Sequence, residues 1–157
     1  MEQKTDIIRN AIELARVIGV REPKVAILAA VETVSPSMTA TLDAAALCKM
    51  ADRGQITGGL LDGPLAFDNA VSIAAARTKG IVSAVAGQAD ILVVPDLESG
   101  NMLAKQLIFL GGAASAGIVL GAKVPVILTS RADSRDTRIA SCAIALMLAH
   151  HYRLSPP

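Results

Sequence analysis

Between Thr129 and Asp136 the chain sets two hydroxyls and an arginine, Thr129-Ser130-Arg131, ahead of two carboxylates, Asp133 and Asp136. That combination suits an oxyanion. A guanidinium fork grips phosphoryl or carboxylate oxygens in pairs. A helix beginning just after the run would add free backbone N–H groups and a partial positive charge. The same residues also make an ordinary capped helix, with Asp133 or Ser134 as N-cap and Arg131 on the surface. On spacing alone both readings stand. The run Pro95-Asp96-Leu97-Glu98-Ser99-Gly100-Asn101 is built alike. Gly100 permits close backbone approach and Asn101 both donates and accepts. Its simpler reading is again a cap, with Ser99 as the N-cap. Two further polar groups follow apolar runs: Asp62-Gly63-Pro64, and Glu32 with Ser35 and Ser37.

These groups need elements to hold them. Ile8, Ile12, Ala15 and Ile18 fall on one stripe, which predicts a helix over Thr5–Ile18 stopped by Gly19. Lys24–Ala29, Ile56–Leu61, Ile91–Val94, Ile118–Leu120 and Val124–Leu128 are short apolar runs suited to strands covered on both faces. Helical spacing recurs over Leu42–Met50, Ala66–Thr78, Gly100–Leu110 and Thr137–Ala149, while Thr78–Ala89 is indistinct. Alternation of this kind predicts an α/β fold, a three-layer α/β/α sheet, mostly parallel, with helices on both faces. Ligands of such sheets sit beyond the carboxyl ends of the strands. Four polar loops are expected on that one edge.

Composition narrows the chemistry. Fifteen Lys and Arg against fourteen Asp and Glu leave a formal charge of +1 on 157 residues. With no basic excess to neutralise a polyanion, nucleic-acid binding is not expected. Aromatics are 2% of the chain, too few for base-stacking platforms. Cys48 and Cys142 fall in helical patterns without a CxxC or a Cys/His cluster, so they read as reduced core thiols of a cytosolic protein. No zinc or other metal site is indicated. The polar start, Met1–Asn10, shows no signal peptide. Gln106–Ala122 is uncharged but short for a membrane span, and Gly111-Gly112 divides it. His150 and His151 read as a solvated tail. Neither a GxGxxG nor a Walker sequence is present.

Three stretches together resemble the phosphate acetyltransferase/phosphate butyryltransferase family. They are Asp62-Gly63-Pro64-Leu65-Ala66-Phe67-Asp68, Ala89-Asp90-Ile91-Leu92-Val93-Val94-Pro95-Asp96-Leu97-Glu98-Ser99-Gly100-Asn101, and Val124-Pro125-Val126-Ile127-Leu128-Thr129-Ser130-Arg131. Their order and spacing match, and the likeness covers nearly all of the chain. It is closest to forms that follow an enoyl-CoA hydratase-like region in one polypeptide.

The resemblance implies reversible acyl transfer between coenzyme A and phosphate, in a cytoplasmic homodimer needing no metal and no resident cofactor, with coenzyme A as a substrate. It implies a two-domain fold like that of the isocitrate and isopropylmalate dehydrogenases, with the site between the domains. The chain is expected to be about half of a usual member: residues 1–123 as the second domain, and 124–157 as a return segment completing a first domain that has no counterpart here. By resemblance Arg131 holds the phosphoryl oxygens and Ser130 supports the developing charge. The family's proposed base falls on Thr137 in an ungapped reading, so Asp136 or Asp133 would have to serve. A carboxylate at a helix N-terminus is a weaker base, which favours Asp136 if Asp133 is the cap. Asp62, Gly63, Pro64, Asp96, Gly100, Asn101, Thr129 and Asp133 are the expected substrate contacts. Two other readings remain: a catalytically inert lobe serving folding and dimerisation, and a dehydrogenase of the same fold. The latter lacks the acidic cluster that a metal would need.

Overall fold

A computed structural model describes residues 1–155. In chain order the elements are α1 (Glu2–Val17), β1 (Lys24–Leu28), α2 (Thr39–Asp52), β2 (Leu60–Leu65), α3 (Phe67–Val71), α4 (Ile73–Thr78), β3 (Ile91–Val93), α5 (Leu97–Phe109), β4 (Ile118–Val119), β5 (Val126–Ile127) and α6 (Arg135–Leu154).

β1 is the centre of a parallel sheet of order β2-β1-β3. Its four consecutive apolar residues alternate between two cores, as a strand covered on both faces requires. Val25 and Ile27 join Val93 in one core, under Ile8 and Ile12 of α1 and Ala44 and Leu47 of α2. Ala26 and Leu28 join Leu65 in the other, under Ala70 of α3, Ala76 of α4 and the segment carrying Val85 and Ala86. The three-layer α/β/α arrangement follows from this alternation.

Several boundaries differ from the sequence-based expectation. Ile18, expected on the buried stripe of α1, is exposed as its C-cap. The second strand is Leu60–Leu65 rather than Ile56–Leu61, so Asp62-Gly63-Pro64 lies inside a strand instead of closing one. Ala26 pairs with Asp62 and Leu28 with Leu65, so β2 carries one extra residue there, a bulge that accommodates proline's missing N–H. Gly63 is required by space: a Cβ there would stand 2.7 Å from the Ile27 carbonyl oxygen and 2.8 Å from the Ile27 Cβ. The helix expected over Ala66–Thr78 breaks at Ser72, whose hydroxyl caps α4 by accepting the Ala75 N–H at 3.3 Å. The indistinct segment after it folds back without regular structure, and the Gly87 N–H donates to the Asn69 carbonyl at 2.7 Å.

The last two strands do not extend the parallel sheet. β4 and β5 form a separate antiparallel hairpin, pairing Ile118 with Ile127 and Val119 with Val126. α6 lies along α1 and against this hairpin. Its buried stripe is Ser141, Ala145, Leu148 and Tyr152. The Gly117 N–H donates to Ser141 Oγ at 2.9 Å, which fastens hairpin to helix.

Candidate functional site

The start of α6 resolves the capping alternatives. Ser134 is the N-cap, accepting the Thr137 N–H at 3.1 Å. Asp133 instead closes the preceding turn: it accepts the Ser130 N–H at 2.6 Å, and its own N–H donates to the Ser130 carbonyl at 3.1 Å. Asp136 sits in the first turn of the helix. Thr137 Oγ1 lies 3.1 Å from Ser134 Oγ and 3.3 Å from Ser115 Oγ. This chain of hydroxyls ties the helix start to the segment ahead of β4.

Together they form one side of a hollow of about 590 Å³, whose other side is the second half of α5. Asp133, Ser134, Asp136 and Thr137 face Lys105, Ile108 and Phe109 across it, with Ala113–Ser115 joining the two sides. The Lys105 ammonium stands 5.8 Å from the centre of the Phe109 ring. Asn101 precedes Lys105 by one helical turn. Lys105 and Ser115 were not anticipated from sequence. The i, i+4 spacing from Asn101 to Lys105 was the available signal. Thr129 is half-buried, and Ser130 and Arg131 are exposed beside Ala132, which lines the hollow.

The other expected contacts are not gathered here. Asp62 lines a separate hollow of about 350 Å³ with Asp52, Gly59 and Ser83. Its carboxylate accepts the Gly63 N–H at 2.8 Å. The expectation of four loops on one sheet edge is therefore corrected: β2 ends after the Asp62 group, and β5 belongs to another ladder. Asp96, not Ser99, caps α5. Its carboxylate accepts the Ser99 N–H at 2.8 Å and the Ser99 hydroxyl at 2.7 Å, and these bonds, the backbone one foremost, hold its pKa below the usual carboxylate range. Gly100 packs against Val94, with a would-be Cβ 2.8 Å from a Val94 methyl. Glu32 is engaged by Lys79 at 3.1 Å and by Asn69 Nδ2 at 3.2 Å. Ser35 and Ser37 bond each other at 2.9 Å, and Ser35 binds Thr41 of α2.

The strand order reverses between β1 and β3, where open α/β sheets usually take ligands. At that point a smaller apolar hollow of about 280 Å³ is lined by Leu28, Phe67, Val94, Pro95 and Leu103. Another, of about 480 Å³, lies between α1 and α6, lined by Arg9, Glu13, Arg16 and His151.

The histidines are not a tail. Both lie within α6, and His151 Nε2 is 3.3 Å from Glu13 Oε1. Cys48 is partly buried, with its thiol pushed up to about 12 chiefly by burial. Cys142 is exposed, which corrects its reading as a core thiol. Among the described residues no three His, Cys, Asp or Glu side chains converge to hold a metal ion, and no helix is long and apolar enough to cross a membrane.

Comparison with known proteins agrees with the motif reading. The profile of the family described as Phosphate acetyl/butaryl transferase matches residues 1–146. A phosphate acetyltransferase of Rhizobium meliloti is 65% identical over 153 residues, covering 98% of this chain and 48% of the relative. A phosphate butyryltransferase of Clostridium acetobutylicum is 48% identical over 149 residues, covering 95% and 50%. The crystal structure of a branched-chain phosphotransacylase from Enterococcus faecalis V583 superposes with a TM-score of 0.83 at 37% identity, covering 94% of this chain and 52% of that one. The chain thus spans about half the length of the relatives it matches. Its motifs, its three-layer sheet and these likenesses agree, and the chain belongs to the phosphate acetyl/butyryl transferase family.

Proposed function

We propose that this chain supplies one wall of a phosphate acyltransferase site, which moves an acetyl or butyryl group between coenzyme A and phosphate. The observation that carries the reading is the hollow between α5 and the start of α6. There a lysine, three hydroxyls and two carboxylates converge beside Ser130-Arg131. Residues 1–123 act as one domain of the enzyme, and 124–157 as the segment that returns toward the other.

In this reading Arg131 holds the phosphoryl oxygens and Ser130 supports the charge that develops on them. Asp136 or Asp133 takes the proton of the coenzyme A thiol: Asp136 lies in the first turn of α6, whose partial positive charge makes it the weaker base, and Asp133 already accepts the Ser130 N–H. The sulfur then bonds to the acyl carbon, the carbon–oxygen bond to phosphate breaks, and phosphate departs as the anion. Coenzyme A enters as substrate and no resident cofactor takes part. Thr129, Asp133 and Asn101 border the substrates. Asp96 and Gly100 set the start of α5, while Asp62, Gly63 and Pro64 belong to the β2 bulge beside a separate hollow. Positioning two charged substrates provides much of the rate, and each well-placed anion donor adds about a hundredfold or more. The enzyme works as a cytoplasmic homodimer, which suits its free thiols.

A second reading takes the chain as an inert folding and dimerisation lobe. It is favoured by α5, which buries no residue and exposes Leu97, Met102, Phe109 and Leu110. One experiment separates the two: purified chain is mixed with acetyl phosphate and coenzyme A, and thioester formation is followed. Turnover that falls about a hundredfold or more in Arg131→Ala supports the acyltransferase. Turnover indifferent to that substitution removes Arg131 from the site. A folded chain that dimerises in ultracentrifugation and forms no thioester supports the lobe.

A further inference from the structure

We infer that Lys105 is a positioning residue for the phosphoryl group, a second cation that faces Ser134 and Thr137 across the hollow. The inference rests on the acyltransferase reading for the identity of the anion, and it adds a residue that neither the motifs nor the family likeness singled out.

Lys105 differs from Lys4 and Lys79, which end on carboxylates. Lys4 reaches Asp43 at 2.7 Å, and Lys79 reaches Glu32 at 3.1 Å and Asp68 at 3.2 Å. Lys105 ends on no carboxylate among the described residues. Its ammonium is held instead over the Phe109 ring, in a space lined largely by apolar groups. An ammonium without a carboxylate counter-ion is a good partner for an incoming anion, since little competing pairing must be broken. Across from it Ser115, Thr137 and Ser134 form a continuous hydroxyl chain, whose two internal bonds leave one O–H proton free to donate to an anion. Asp133 and Asp136 also face this space. Without Lys105 their carboxylates would repel a phosphate. The volume exceeds what phosphate alone needs, which leaves room for the acyl carbon and the attacking sulfur.

Inorganic phosphate and the phosphates of coenzyme A share this chemistry, so the test separates them. Inorganic phosphate and coenzyme A are titrated individually into the wild-type chain, Lys105→Gln, Lys105→Arg and Arg131→Ala, with backbone amide NMR shifts read for Ser134 and Thr137 and melting temperatures measured alongside. The expected result is phosphate affinity weakened about tenfold or more in Lys105→Gln and largely restored in Lys105→Arg, at unchanged melting temperature. Unchanged phosphate affinity in Lys105→Gln, with loss in Arg131→Ala, overturns the role of Lys105 and leaves the acyltransferase reading intact. Loss of coenzyme A binding alone in Lys105→Gln also overturns it. A wild-type chain that binds neither compound overturns both readings.

Discussion

Ser134 caps α6 through Thr137: its hydroxyl oxygen accepts the Thr137 N–H at 3.1 Å, while the two side-chain oxygens also stand 3.1 Å apart. A cap that is also part of a hydroxyl chain couples the stability of the helix to the shape of the hollow. Ser134→Ala should cost about 1 kcal/mol, and lower the melting temperature by about 2–4 °C. Ser134→Asp should restore most of this. Thermal unfolding of both variants checks the pair, and a Ser134→Ala chain as stable as the wild type would mean that the cap contributes nothing.

Gly63 leaves no room for a side chain between β2 and Ile27. Gly63→Ala should destabilise the chain by about 1–3 kcal/mol, because a backbone carbonyl must move aside. Urea denaturation with unchanged slope and a lowered midpoint is the expected signature.

Lys79 bridges Glu32 and Asp68 at 3.1 and 3.2 Å. The lysine hydrogen bonds, first among the causes, hold both carboxyls below their ordinary values of 4.5 and 3.8, and the Glu32 bond foremost raises Lys79 above 10.5. A lowered carboxyl stabilises the fold fully above its ordinary value and stops doing so as pH falls through its folded value. A raised lysine stabilises fully below 10.5 and ceases to as pH climbs through its folded value. Lys79→Met should therefore lose stability at neutral pH and show a flatter decline below about pH 4.5. Urea midpoints across that acid window check it, and parallel curves for variant and wild type would refute the bridge.

The two thiols should separate cleanly. Cys142 is exposed, whereas burial keeps Cys48 protonated far above neutrality. A maleimide should label a single thiol in the native chain and both in denaturant, with peptide mapping placing the native label on Cys142. Native labelling of Cys48 would contradict its packing.

The strands of the core were legible because β1 and β3 are continuous apolar runs, β1 opening after Pro23 and β3 lying between Asp90 and Pro95. β2 was misplaced because Asp-Gly-Pro is a strong turn signal, whereas an edge strand with a bulge tolerates all three residues. Ser72 split a helix that hydrophobic spacing alone drew as one. Arg131 and Asp136 stood out by residue type, but Lys105 did not, since a lysine on a helix is normally solvated. Only the hollow shared by the second half of α5 and the start of α6 marks it out. Whether β5 joined the main sheet depended on contacts with α6 that no local pattern encodes.

The bulge in β2 also bears on association between chains. An outer strand with a regular run of free N–H and C=O groups is a template on which another chain can add, the first step toward fibrils. Here Pro64 has no N–H to offer and the extra residue breaks the repeat, so this side lacks the regular template that strand addition needs. The opposite side, β3, is three residues long and too short to nucleate it.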